Sequence, residues 1–506
     1  MSLFGALNVG NTGMSANQIA MQTSGNNIAN ANTDGYSRQQ VGTAEQPTIY
    51  QPGVGSLGTG VDVTGVNRVV DDFVRTQVRD ANSKYQYYQE KSDKLGQLQD
   101  ILNEPSDNGI VKQLSTLTTA WNTLANDPEL GTAKSSVVQD AGSFADSVKE
   151  MAGNISDLSD NITSTLAKNA LDFNSDVKQL QTLNQQIYNL SSVGQTPNDL
   201  LDQRDATLKN LSDIADVSTS FDSYGRVSIN LGNQTILNGD TRNTLSVVTA
   251  NTGGTATIAK DGDTVDGQQQ VSDNYPTNTI LLTQTDTDGN ASYSQLTVDN
   301  GTMGGLETAA GEVSQRMQEL NDFAATIAKT VNMVYTNGQS STSGFFEIGS
   351  NTDSYASQMT VNSALTADPD KLTVGTSGAS GDNSVATAIV NLSNVKFDYP
   401  ITDDQLNSYD KTTMTFAASA SGKTYSDAFN NIVTKNAISK QQADNLSAAQ
   451  NSVLNQLNNQ DQTVSGVSVN EEITNVIAYQ RGFEANARVI SVISDMLDTL
   501  INKTGV

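Results

Sequence analysis

Apolar side chains recur every seven residues along the first thirty positions: Leu3, Leu7, Met14, Met21 and Ile28, with Gly10, Asn17 and Ser24 at the alternate seam positions. This spacing predicts an amphipathic helix whose narrow apolar seam wants a partner helix. The last forty residues repeat the pattern more strongly. Ile473, Val476, Phe483, Ala487, Ile490, Leu497 and Ile501 advance by helical steps, flanked by Tyr479, Ile493 and Leu500. Ser468 and Glu471 form a capping-box pattern just ahead of that run. Two such helices alone bury too little surface to offset their ordering entropy, so both ends are expected to be mobile in a monomer and to settle on contact with neighbours.

More helices are predicted between the ends. Val74, Val78, Ala81, Tyr85, Tyr88, Leu95 and Leu102 mark one, and Phe144 through Ile162 begin a longer one. Its seam continues through Leu166, Ala170, Phe173, Val177, Leu180, Ile187 and Leu190, with two successive steps of four that should locally unwind a supercoil. Two stretches break the helical period. Val217 to about Thr302 alternates apolar and polar residues between turn signals such as Asn238-Gly239, Asp261-Gly262 and Asp288-Gly289-Asn290. Gly344 to Lys423 reads similarly, with Gly375 to Ser384 as a flexible Gly/Ser tract. The expected fold is α+β and multidomain: a long coaxial helical bundle stem formed by both termini, with two β-rich inserted domains. Residues 1–60 plus 465–506 would be the terminal polymerisation domain, and 61–216, 303–343 and 424–464 the stem. Residues 217–302 and 344–423 would be the inserts.

Composition narrows the chemistry. The 506 residues carry 28 Lys plus Arg against 55 Asp plus Glu, a net charge of −27 that disfavours nucleic acid and anionic lipid as partners. Cys and His are both absent. Disulfides, thiolate or imidazole metal sites and the usual nucleophilic triads are therefore excluded. Met1 to Ser37 lacks the basic and apolar regions of a secretory signal, and no run reaches the ~18 apolar residues of a membrane span. A secreted chain would leave by a route that reads no cleaved signal.

No chemical motif survives scrutiny. Gly53, Gly55 and Gly58 fit G-x-G-x-x-G, but an alternating strand follows in place of a phosphate-binding helix. Gly422-Lys423-Thr424 lacks the earlier glycine of a phosphate loop, where Ala417 stands. The Asp-rich turns at Asp261 to Asp266 and Asp286 to Asn290 lack EF-hand spacing and read as ordinary Asx turns. No catalytic residue, cofactor or metal is expected, and the chain is not expected to be an enzyme.

Asn26-Asn27-Ile28-Ala29-Asn30-Ala31-Asn32-Thr33-Asp34-Gly35-Tyr36 resembles the N-terminal signature shared by flagellar rod, hook and hook-associated proteins. Its continuation, Tyr36-Ser37-Arg38-Gln39, then Gly58 to Val63 and Arg68 to Phe73, resembles the flagellar hook-associated protein 1 (FlgK) family. Ala120 to Ala125, Asn198 to Asp205, Gly304-Gly305-Leu306, Ser465 to Glu472 and Tyr479 to Ile490 agree in order, leaving the two inserts unmatched. Gly35 suits a helix C-cap with φ > 0, while Asn27, Asn30 and Asn32 suit bonding to freed backbone groups.

The resemblance implies a subunit that self-assembles at the hook tip, follows the hook protein and precedes hook-associated protein 3. It implies an extracellular position at the hook-filament junction, reached unfolded through the flagellar type III export apparatus. A FlgN-like export chaperone would hold the C-terminal helix. The alternatives are another axial protein, a hook protein or flagellin, or a filament-borne adhesin acting through the inserts.

Overall fold

A computed structural model of the chain describes residues 3–259, 268–271, 273–285, 290–339 and 343–503. The turn signals of 261–266 and 286–289 lie outside them. Helix α1 (Leu3–Ala29) leads into strands β1 (Gln39–Glu45), β2 (Ile49–Gln51), β3 (Gly55–Leu57) and β4 (Val61–Arg68). Then come α2 (Asp72–Leu102), α3 (Ile110–Asn126), α4 (Gly131–Ser191) and α5 (Asn198–Ile214). β1 pairs antiparallel with β4, and β2 with β3.

The stem helices form where the pattern predicts them. The Asp71 carboxylate accepts from the Phe73 and Val74 amides at 3.0 and 3.2 Å to open α2, and Asn103 closes it in the left-handed region. The 61 residues of α4 run unbroken, about 90 Å at 1.5 Å per residue. Its seam residues Phe144, Ile155, Ile162, Phe173, Leu180 and Ile187 are all fully buried, so α4 is the spine on which the stem is built.

The first insert is strand-rich, as expected. β5 (Val217–Phe221), β6 (Val227–Leu231), β7 (Gln234–Asn238) and β8 (Thr241–Arg242) form one antiparallel sheet, with Gly239 at φ 59° in the Asn238-Gly239 turn. β9 (Thr244–Thr252), β10 (Thr255–Ala259), β11 (Gln268–Val271), β12 (Ile280–Thr285) and β13 (Ala291–Leu296) form the second, in the order β11-β10-β9-β12-β13. Two buried asparagines of α4 hold these sheets. The Asn174 amide bonds both backbone groups of Leu245 at 2.7 and 2.8 Å, and Asn184 does the same to Val227 at 2.8 Å. Each helix side chain thus imitates a neighbouring strand for one residue.

Helix α6 (Gly301–Tyr335) returns to the stem. Its Gly304-Gly305-Leu306 segment is explained by backbone contact: a Cβ on Gly305 would lie 2.6 Å from the Tyr87 carbonyl oxygen of α2, and one on Gly304 would lie 2.5 Å from that of Val298. Backbone cannot yield as a side-chain tip can. Gly305→Ala is therefore expected to cost about 1–3 kcal/mol, read as a lower urea midpoint at unchanged m.

The second insert departs from expectation. It holds only β14 (Phe346–Glu347) paired with β15 (Thr360–Val361), beside short helices α7 (Tyr355–Gln358), α8 (Ser363–Ala367), α9 (Ser384–Leu392) and α10 (Asp403–Asn407). Val385, Ala386, Ile389 and Leu392 follow a helical period, and together with Phe345 and Met359 they join the core of the stem. Residues 344–423 accordingly combine short helices and turns with one two-residue strand pair, far less strand than a β-rich outer domain, and pack on α3, α4 and α6. The Gly/Ser tract is tied down as well. The Asp382 carboxylate accepts from Ser377 N, Ser377 Oγ and Ser384 N at 2.6–3.0 Å, bonds that hold its pKa well below the usual carboxylate range.

Helix α11 (Tyr425–Ser465) runs back along α2, and α12 (Val469–Asp498) continues into a last π-helical turn, Thr499–Lys503. Among the described residues no helix is long and apolar enough to cross a membrane.

Candidate polymer interface and the ionic node beneath it

Three close approaches set α1 against α12. A Cβ on Gly10 would lie 3.0 Å from Ile490 Cγ1, one on Gly13 would lie 3.0 Å from the Asn486 amide, and one on Gly482 would lie 2.6 Å from Asn17 Oδ1. Rising numbers on one helix meet falling numbers on the other, so the pair is antiparallel. The buried side of α1 is Gly10, Ala16, Ala20, Thr23, Ser24 and Asn27, all small or polar. The small seam residues therefore make the contact, and Leu3, Leu7, Met14, Met21 and Ile28 sit half-buried along its flanks.

On α12, Val476, Phe483, Ala487, Ile490 and Leu497 are half-buried, whereas Ile473 and Ile501 face outward. Only Glu472 and Ile493 of this helix are buried. The termini are thus paired with each other in the single chain, more fully than the expectation of helices waiting for neighbours, but the pairing is thin. An outer stripe is exposed: Val489, Val492 and Met496 are each about half exposed and spaced three or four apart, and Ile473 and Ile477 add a second exposed pair nearer the start of the helix. Of these, Ile477, Val489, Val492 and Met496 lie off the seven-residue seam, although the steps of three and four from Val489 to Met496 are visible in the sequence. Ser468 does sit at the N-cap, yet its side chain makes no capping bond.

Where the helix pair meets the stem, the signature residues become joints. Asn27 repeats the clamp of α4: its Nδ2 donates to Gln39 O at 2.9 Å, and its Oδ1 accepts from Gln39 N at 3.0 Å and from the Tyr36 hydroxyl at 2.8 Å. Burial, then the carboxylates of Asp202, Asp199 and Glu472, push the Tyr36 phenol up to about 12, keeping it a donor. Arg38 N donates to Ser465 O at 2.9 Å, and Val69 N to Arg38 O at 2.8 Å. Asn30 bonds back to Asn26, and Thr33 Oγ1 donates to Asn30 Oδ1 at 3.2 Å. Gly35 has φ 76° as expected, but α1 ends at Ala29, so this glycine closes a following turn instead of capping the helix.

Beside these joints lies a buried ionic node. Ser37 Oγ donates to Asp202 Oδ1 at 2.5 Å. Arg68 Nη1 bridges Asp202 at 2.8 Å and Asp205 at 2.9 Å, and Arg75 Nη1 reaches Asp205 at 2.6 Å. Arg75 also donates to Ser37 Oγ at 2.9 Å and contacts Asp461 of α11 at 3.4 Å, while Arg204 closes on Asp205 at 2.6 Å. Burial opposes ionisation of Asp205, but the guanidiniums of Arg204, Arg68 and Arg75 outweigh it and hold the carboxyl below its usual range. One carboxylate thereby bonds groups from β4, α2 and α5, with α11 attached through Arg75. A polar cleft of about 840 Å³ opens between this node, the turn after α1 and the α11–α12 bend. Among the described residues no group of three acidic, His or Cys side chains is placed to hold a metal ion.

Comparison with known proteins agrees with this layout. The model described as Flagellar hook-associated protein FlgK helical domain matches residues 95–351, half of the chain, and runs through the first insert that the sequence resemblance had left unmatched. The models for Flagella basal body rod protein and Flagellar basal body rod FlgEFG protein C-terminal match residues 7–36 and 462–503, which hold the paired helices. Flagellar hook-associated protein 1 of Bacillus subtilis strain 168 is 28% identical, covering 100% of this chain and 99% of its own. That of Salmonella typhimurium is 25% identical over 97% and 98%. The flagellar hook junction protein FlgK from Burkholderia pseudomallei superimposes with TM-score 0.57 at 15% identity, over 77% of this chain and all of that one, a likeness of fold. With one family model across half its length and rod-type models on both ends, the chain belongs to the flagellar hook-associated protein FlgK family.

Proposed function

We propose that this chain is a structural subunit of the bacterial flagellum that forms the hook-filament junction, polymerising on the hook tip through α1 and α12. The observation that carries the reading is the thin, small-residue pairing of the two terminal helices beneath an uncovered apolar stripe. A monomer has no use for such a surface, whereas an assembly buries it. Leu3, Leu7, Met14, Met21 and Ile28 would flank that contact, as would Val476, Phe483, Ala487, Ile490 and Leu497, with Ile473 and Ile501 facing outward into it. The partners in this reading are further copies of the chain, the hook protein below and hook-associated protein 3 above. Delivery would be by the flagellar type III export apparatus, with a FlgN-like chaperone on α12. The role is structural, and no catalysis is assigned.

Deleting the gene is expected to leave hooks intact and abolish filaments, with flagellin lost to the medium. Normal filaments in that strain would overturn the junction reading. A second expectation concerns the monomer. Because α12 buries only two side chains, local opening of the helix pair should be far easier than unfolding of the stem. Limited proteolysis should clip roughly the first and last 40 residues before any cut within 75–440.

A further inference from the structure

The β2–β3 hairpin is left bare on both faces. Ile49 pairs with Leu57 and Tyr50 with Ser56, so Ile49 and Tyr50 point to opposite sides of the ribbon. Ile49 is 64% exposed, Tyr50 72% and Val54 66%. Among the described residues no third strand joins this pair, and a lone two-stranded ribbon is marginal in water. Its base is nonetheless closed by Gln46 N donating to Gly60 O at 3.1 Å and fastened to α1, where Asn8 Nδ2 donates to Thr59 O and Val61 N to Thr12 Oγ1, both at 3.3 Å. The hairpin therefore projects from the terminal helix pair as a fixed apolar arm.

We infer that this arm docks on the exposed α12 stripe of a neighbouring copy of the same chain, an inference that rests on the polymer reading above. Three observations select that occupant. First, residues 46–60 contain no charged side chain, in a chain of net charge −27. A like-charged copy is repelled over most of the surface but not by this arm, and an anionic lipid surface finds no cation on it. Second, the stripe carries Arg481 and Arg488, which make no ion pair among the described residues, and a guanidinium suits the face of an aromatic ring such as Tyr50. Third, both the arm and the stripe are exposed in one chain, so the arm does not reach its own α12. Arm to stripe is a heterologous contact between different patches, which repeats from copy to copy around a ring or helix.

Photo-crosslinking in assembled flagella tests this, with p-benzoylphenylalanine in place of Tyr50 in the full-length chain. The expected product is a dimer of this chain whose linked peptide lies within residues 469–500. In case the bulky probe blocks docking, the same group in place of Ile477 should capture residues 46–60. Tyr50→Ser with Val54→Ser should lower junction occupancy about tenfold or more at unchanged melting temperature, a tenfold loss being about 1.4 kcal/mol. Crosslinks from both positions to the hook protein or another subunit, or none from either in junctions that contain the chain, would overturn the docking. Absence of the unmodified chain from hook tips would instead overturn the junction reading, and the docking with it.

Discussion

Asp205→Asn is expected to lower the unfolding free energy by about 3–5 kcal/mol, the cost of breaking a buried ion pair from one side. The amide keeps the shape but offers one acceptor and no charge to Arg68, Arg75 and Arg204, which stay buried. Arg68 retains Asp202 and Arg75 retains Asp461, so the lower end of that range is the better figure. Trp121, the single tryptophan and fully enclosed against Phe345 at 5.2 Å between ring centroids, reports the transition by fluorescence. The pH dependence has a definite sign. The folded carboxyl titrates below its ordinary value, so its stabilisation is present above the unfolded pKa of about 3.9 and is lost as pH falls through the folded one. Wild type should therefore lose stability in acid more steeply than the variant, and the two curves should converge at low pH. Parallel curves would show that Asp205 carries no net stabilising charge.

The same node marks the limit of what the sequence discloses. Periodicity located α1, α2, α4 and α12 because a helix that buries one face advertises it in its own residues. Asn238-Gly239 disclosed its hairpin for a similarly local reason. The segment 198–205 was visible as a family feature, but its partners Arg68 and Arg75 lie some 130 residues away, and nothing local announces the pairing.

The asparagine clamps were equally silent apart from Asn27, which stands in the N-terminal signature. Asn27, Asn174, Asn184 and Asn332 each bond both backbone groups of a single distant residue, namely Gln39, Leu245, Val227 and Phe346. Inside a helix such an asparagine looks like any other polar residue, and only tertiary structure shows that it completes a strand edge. Residues 344–423 misled in the opposite way. Their Gly, Ser and Asp content resembled strand and turn composition, while the helical spacing of Val385, Ala386, Ile389 and Leu392 was too short to stand out.

Gly482→Leu is expected to give hooks without filaments while leaving the melting temperature of the stem unchanged. At Gly482 a Cβ would already stand 2.6 Å from Asn17 Oδ1, and Asn17 is held in turn by its 2.7 Å bond to Gly13 O. An alanine meets only the tip of that side chain, which can swing aside at small cost. A leucine adds three more carbons at the same point and must separate the helix backbones, as overpacking does in a core. The stem has its own continuous core from α2 to the start of α11, and Gly482 touches none of it. Stability and assembly should thus come apart at this position: Gly482→Ala near wild type in both, Gly482→Leu intact in the first and deficient by more than tenfold in the second. Normal filaments with Gly482→Leu would show that close packing of the two terminal helices is not what assembly requires. A fall in the stem's melting temperature would show that the terminal helices support the stem, against the thin coupling their burial implies.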